Sequence, residues 1–219
     1  MKRLLSFISI LIIFLSTSCE REIEEGQPDL GFDFQPLEVG LFWIYEVDQT
    51  IYFGENDSEE EHFYYRDHIS SYYTNEEGEQ VFVVLRTKSQ DRINWTIELP
   101  YTLIQRDFSL VRTIENQAIV ALVFPPKSGI VWNGNVYRNV ERDDFEMLNS
   151  GTSVQVNQEN IDDLITYRDI RYEVYEKGVG MVEKYAEVLT YCSRNDCLGD
   201  MLINSGYKIS LKMSDYGSI

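Results

Sequence analysis

Across 219 residues, 37 acidic side chains meet 19 basic ones, leaving a formal charge of −18 at pH 7. That balance argues against a nucleic-acid partner, since such binding rests on Lys and Arg contacts to phosphate. It argues equally against clinging to an anionic lipid surface by charge. The chain holds 15 Tyr, 11 Phe and 3 Trp, an aromatic load that favours pleated surfaces over helices.

The first predicted element is a leader. Lys2 and Arg3 precede an apolar run over residues 4–15, and Ser16, Thr17 and Ser18 follow. A basic start, a short apolar stretch and small residues make a secretory signal peptide over 1–18. The run is too short for a membrane-spanning helix, which needs about 20 apolar residues. The stretch Leu15-Ser16-Thr17-Ser18-Cys19 resembles a bacterial lipobox, with Ser16 where Leu is usual and Ser18 where Gly or Ala is usual. Such loose boxes resemble those of Bacteroidota-type lipoproteins. The resemblance implies that Cys19 takes fatty chains such as palmitate and becomes the mature N-terminus. A plain secretory signal cleaved near Ser18, with an incidental cysteine, is the alternative reading.

Beyond residue 18 the balance is 17 basic against 37 acidic residues. Residues 19–33 open with Glu20, Arg21, Glu22, Glu24 and Glu25 and carry few apolar groups, so they read as an acidic, disordered tether. Acidic residues after the cysteine resemble the surface-export signal of Bacteroidota lipoproteins; an ordinary solvated linker fits them as well. A single β-rich domain is expected over 34–219.

Within that domain alternation dominates, not helical periodicity. Leu41, Trp43, Tyr45, Val47, Ile51 and Phe53 fall on one strand face, with Glu46, Asp48 and Thr50 opposite. Residues 93–99, 170–174 and 207–213 alternate in the same way, the mark of sheets with one wet face. Further strands are expected over 63–74, 81–88, 109–115, 118–124, 136–141 and 181–191. Asn75-Glu76-Glu77-Gly78 and Gly178-Val179-Gly180 read as hairpin turns. The one helix expected covers 158–165, with Asn157 as N-cap. The fold class is therefore all-β and mostly antiparallel, a curved meander sheet or half-open barrel with at most one or two short helices.

Three segments resemble a pattern of Bacteroidota lipoproteins: Pro36-Leu37 with Gly40, Trp43 and Tyr45; Phe124-Pro125 with Gly129, Trp132 and Gly134; and Gly178-Val179-Gly180-Met181-Val182. The resemblance implies an antiparallel β fold akin to the curved half-barrels of lipoprotein carriers, and by itself no function.

Cys192 and Cys197 flank a polar turn. Outside the cytoplasm such a pair most often forms a disulfide; free thiols, or a zinc site shared with His62 and His68, are the other readings. Trp43, Trp95 and Trp132 are either core or the wall of a ligand face. The oxygen-rich stretch 55–62 lacks the spacing and central Gly of a calcium loop. Glu141, Asp143, Asp144 and Glu146 offer a carboxylate pair for glycan hydrolysis, or plain surface acidity. No Walker loop, dinucleotide fingerprint or nucleophile elbow occurs, so no catalytic residue, metal or cofactor is assigned. The expectation is a lipid-anchored, non-catalytic binding or scaffolding module of the cell envelope, at the outer membrane. Its partners would be the membrane, through the lipid, and an apolar small molecule or an envelope protein. A glycan-active surface hydrolase and a purely structural envelope protein are the rival readings.

Overall fold

A computed structural model describes residues 29–54 and 57–219. The leader, Cys19 and most of the expected tether lie outside the described residues, as do Glu55 and Asn56 of the acidic stretch.

Among the described residues, twelve strands make one antiparallel sheet. The first six are β1 (Leu41–Gly54), β2 (Asp57–Thr74), β3 (Gln80–Ser89), β4 (Thr96–Arg106), β5 (Ser109–Ile114) and β6 (Gln117–Val123). The second six are β7 (Val131–Asn133), β8 (Asp144–Asn149), β9 (Ser153–Asp162), β10 (Tyr167–Glu176), β11 (Gly180–Tyr191) and β12 (Ile203–Ser218). Apart from the ends of the sheet, neighbours in space are neighbours in sequence. The exception is β1 with β12, which run antiparallel from Leu41 opposite Ser218 to Tyr52 opposite Gly206. The free edges, β6 and β7, then meet: Val120 N donates to Gly134 O at 2.9 Å, and Trp132 Nε1 donates to Val120 O at 2.8 Å. The sheet is thus nearly closed into a barrel, which hides edges that would otherwise recruit other strands.

Period-two patterning drives the closure. In β1, Trp43, Tyr45 and Val47 are buried while Glu46 and Asp48 are exposed. Eight strands already leave an interior only just filled by side chains, so twelve need bulk. Tyr45, Tyr175, Phe63 and Met147 supply it, each under 2% exposed or at 2%. One contiguous core results, running from Trp43 and Phe63 on one wall to Val156 and Tyr175 on the other.

Strand direction divides the loops between two rims. One carries residues 29–40, the 75–79 and 177–179 turns and Ile219; the other carries the 90–95, 163–166 and 192–202 loops. The first rim is stoppered by a 3-10 turn, Phe32–Phe34, in which Phe34 is buried and Phe32 packs edge-on against Phe124 at 5.0 Å. Gly178 N donates to Asp33 O at 2.8 Å. Residues 29–33, expected in the tether, therefore belong to the folded body. Two aromatics flanking Asp33 suffice to dock the segment, although its neighbours are acidic.

The helix expected over 158–165 is absent. Gln158 to Asp162 complete β9, where Val154 and Val156 alternate inward, and Asn157 pairs across the ladder with Tyr172 and Glu146. Asp163 does not start a helical turn. Its carboxylate accepts the N–H groups of Ile165, Thr166 and Tyr167 and closes a tight loop. The strand expected over 136–141 is a set of turns, with Val136 57% and Val140 52% exposed, because no partner strand covers their β-branched side chains. Residues 93–95 likewise form a loop organised by Asp91 ahead of β4.

Candidate functional site

The barrel interior is not uniformly apolar. Across its middle lie Asp67 on β2, Arg86 on β3, Arg112 on β5, Glu173 on β10 and Lys184 on β11. Asp67 and Arg86 face each other in the ladder, and the guanidinium grips the carboxylate with two bonds, Nε to Oδ1 at 2.7 Å and Nη2 to Oδ2 at 2.6 Å. Tyr101 Oη adds a third bond to Asp67 Oδ2 at 2.9 Å. Glu173 is fully buried. Arg112 Nη2 reaches its Oε1 at 2.6 Å, Lys184 Nζ the same oxygen at 3.0 Å, and Tyr175 Oη its Oε2 at 2.6 Å. Lys184 is the ladder partner of Glu173, but Arg112 comes from a strand far round the sheet. The Arg112–Glu173 pair is therefore a strut across the lumen.

Burial pushes the Tyr45, Tyr101 and Tyr175 hydroxyls well above their ordinary range, and the neighbouring carboxylates push the same way, so all three are neutral donors. Burial also works against the Glu173 charge, but Arg112 and Lys184 outweigh it and hold the carboxyl far below its usual value. Burial lowers Lys184, with Glu173 opposing.

Arg86, Arg112, Lys184 and the three tyrosines border a narrow cavity of about 30 Å³, with Gln35, Trp43, Leu103, Leu110, Ile114 and Met181 completing its wall. One water needs roughly 10–15 Å³, so the space admits about two. Trp43 Nε1 donates to Val179 O at 2.6 Å and Tyr45 Oη to Met181 O at 3.0 Å, which ties β1 to the β10–β11 turn. Gly180 has φ +111°, and a Cβ there would stand 3.0 Å from Trp43 Nε1, so the glycine makes room for this contact.

The three tryptophans do not share a wall. Trp43 is buried at the cavity. Trp95 lies in a loop, with the Arg66 guanidinium 4.7 Å above its ring. Trp132 packs edge-on against Phe145 at 5.9 Å and covers the β6–β7 seam. Cys192 and Cys197 form a disulfide with Cα atoms 5.9 Å apart. It closes a short loop, so its replacement by two serines is expected to cost about 2 kcal/mol, readable as a lowered urea midpoint. Glu141, Asp144 and Glu146 are exposed; Asp144 binds Arg142 at 2.5 Å, and Asp143 lies 3.6 Å from Arg171. They do not face one another across a cleft. His62 binds Asp48 at 2.7 Å on the outer surface, a contact that raises its pKa. Among the described residues, no three His, Cys, Asp or Glu side chains gather as metal ligands.

Of the chamber residues, sequence reasoning singled out Trp43 but none of the charged ones. In 170–174 the apolar set Ile170, Tyr172 and Val174 marks the expected inner face. Instead Glu173 and Tyr175 point inward, and Tyr172 stacks on Tyr185 outside at 5.4 Å. No local signal set them apart: Glu183-x-Tyr185 has the spacing of Glu173-x-Tyr175, yet Tyr185 lies outside with Tyr172.

A scan against protein-family models and a search of curated proteins give no match to the chain.

Proposed function

We propose that the protein is a lipid-anchored lipoprotein of the cell envelope, tethered through Cys19, that acts as a non-catalytic scaffolding or binding module through its outer surface. The filled interior carries this reading: a space of about 30 Å³ leaves no room for an apolar cargo, whereas small-molecule pockets span roughly 300–1,000 Å³. The chamber carboxylates are spent on cations and tyrosines, so they offer no free acid and base for hydrolysis. The disulfide fits an oxidising compartment outside the cytoplasm.

The rims give the module a direction. Asp29, the first described residue, lies at the stoppered rim, where it pairs with Lys177. The opposite rim exposes Phe53, Leu164, Ile165, Leu198, Met201 and Leu202. Apolar groups on the rim opposite Asp29 suit contact with another envelope protein.

The anchor is tested by Cys19→Ala with palmitate labelling and membrane fractionation. The parent chain is expected in the membrane fraction carrying label, and the variant unlabelled and soluble. A single acyl chain holds weakly and two or three hold almost permanently, so the shift in partition should be nearly complete. Unchanged membrane retention of the variant refutes the anchor. Native mass spectrometry of the detergent-extracted protein addresses the cargo: a stoichiometric bound lipid would favour a carrier instead.

A further inference from the structure

We propose that the rim opposite Asp29 is the docking face for a basic amphipathic segment of a partner protein, one that sets apolar side chains against the rim with lysine or arginine beside them. This names the partner chemistry of the surface invoked in the scaffold reading and rests on that reading, though not on lipidation of Cys19. Three observations carry it. The first is contiguity. Tyr191 N donates to Thr166 O and Cys192 N to Leu202 O, each at 2.7 Å, and a Cβ added at Gly54 would stand 2.6 Å from the Asn204 carbonyl oxygen. The 163–166 loop, the 192–202 loop and the end of β1 therefore sit side by side. Leu164, Ile165, Met201, Leu202 and Phe53 gather there, each 48–58% exposed. Clustered apolar groups of this kind mark interaction sites. The second is backbone strain. Leu164 has φ +58° and Met201 φ +53°, in the left-handed region that glycine enters at lower cost. Each side chain is more than half exposed, so the strain returns little packing and instead presents an apolar group to solvent, as strained residues do at binding sites. The third is charge. Asp57, Glu59, Asp163, Asp196 and Asp200 are exposed in the same segments, whereas Arg168 and Arg194 are each already paired with carboxylates.

The charge selects the occupant. An anionic bilayer is repelled by these carboxylates, and a second copy would bring acid against acid. A basic amphipathic segment covers the apolar groups and neutralises the acidic ones together. The face is also preformed. The Cys192–Cys197 disulfide closes the chain immediately before Leu198, and the Asp163 carboxylate holds the N–H groups of Ile165, Thr166 and Tyr167. Docking therefore orders little chain on this side, which keeps the cost of association low.

The experiment uses the full-length protein in phosphatidylcholine nanodiscs, with empty discs as the blank. The probe is a fluorescein-labelled amphipathic peptide of leucine and lysine, about 15 residues long, read by fluorescence anisotropy. It is expected to bind, and its affinity to fall about tenfold as salt rises from roughly 0.05 to 0.5 M. The same peptide with glutamate for lysine is expected not to bind. Leu164→Gly with Met201→Gly relieves the strain while deleting two apolar groups, and should weaken binding at least tenfold without lowering the thermal midpoint. Glu59→Gln with Asp200→Asn should weaken it several-fold and flatten the salt response. Tyr72→Ser with Phe108→Ser, at positions 54% and 71% exposed near the stoppered rim, should leave it unchanged. Equal affinity for the two peptides, or unchanged binding by the glycine variant, overturns the proposal. A dimer of the parent that the glycine variant disperses assigns the face to a second copy and overturns it too. So does partition onto phosphatidylcholine vesicles that the variant alone loses, which assigns the face to a bilayer. In cells, a photo-crosslinker at position 72 that captures an envelope protein, with none captured from position 201, overturns this inference and leaves the scaffold reading standing.

Discussion

Glu173→Gln is expected to lower stability by about 3–5 kcal/mol, the range for removing one partner of a buried ion pair. The loss arises less from the missing attraction than from what is left. Arg112 and Lys184 would remain with no carboxylate between them, and Arg112 is 8% exposed. In a chain of this size that is roughly a 10 °C fall in the thermal midpoint, measurable by circular dichroism. An unchanged midpoint would mean the strut contributes nothing. Replacing Glu173, Arg112 and Lys184 together with apolar residues should recover much of the loss, because no charge is then stranded. The same group sets an acid limb. Its folded pKa lies below the ordinary value of 4.5, so the unfolded chain takes up the proton first. The stabilisation is complete above about pH 4.5 and is lost as pH falls below that value toward the folded one. The Gln variant should show a shallower decline over that acid range.

Gly206→Ala is expected to cost about 3 kcal/mol through backbone strain and overpacking. Gly206 has φ +139°, and an added Cβ would stand 2.2 Å from the Val188 carbonyl oxygen and 2.8 Å from Leu189 Cα. Neither obstacle is a flexible side chain that can swing aside. The position lies where β12 pairs with both β1 and β11, so the clash strains the joint between the two halves of the sheet. Gly78→Ala is the matched comparison: its φ is +81° but nothing lies within 4 Å of the new Cβ. It should cost only about 1 kcal/mol. Equal thermal midpoints for the two variants would show that the close approach to β11 is immaterial.

Much of the fold was legible because solvent imposes the period of two. Trp43, Tyr45 and Val47 declare an inner face by their spacing, and the 75–78 and 178–180 turns carry the glycines that hairpins need. The chamber was illegible for the same reason. An inward Asp67 or Glu173 reads as an outward one, since local sequence cannot distinguish water from a guanidinium brought by a distant strand. The second half was harder than the first. In 153–162 the alternation of Val154 and Val156 gives way to Asn, Gln and Glu, which imitates an acidic helix start. The β7 strand has three residues and no pattern at all.

The pairing of β1 with β12 has a consequence for biosynthesis. Leu41 leaves the ribosome long before Ser218, yet they stand opposite one another in the ladder. Until β12 emerges the β1 margin can recruit only β2, and its other side stays open to any extended chain nearby. Contacts this distant in sequence also close slowly. A nascent chain stalled before residue 203 should therefore be a persistent client of holdase chaperones, and emergence of the sixteen residues of β12 should end that dependence.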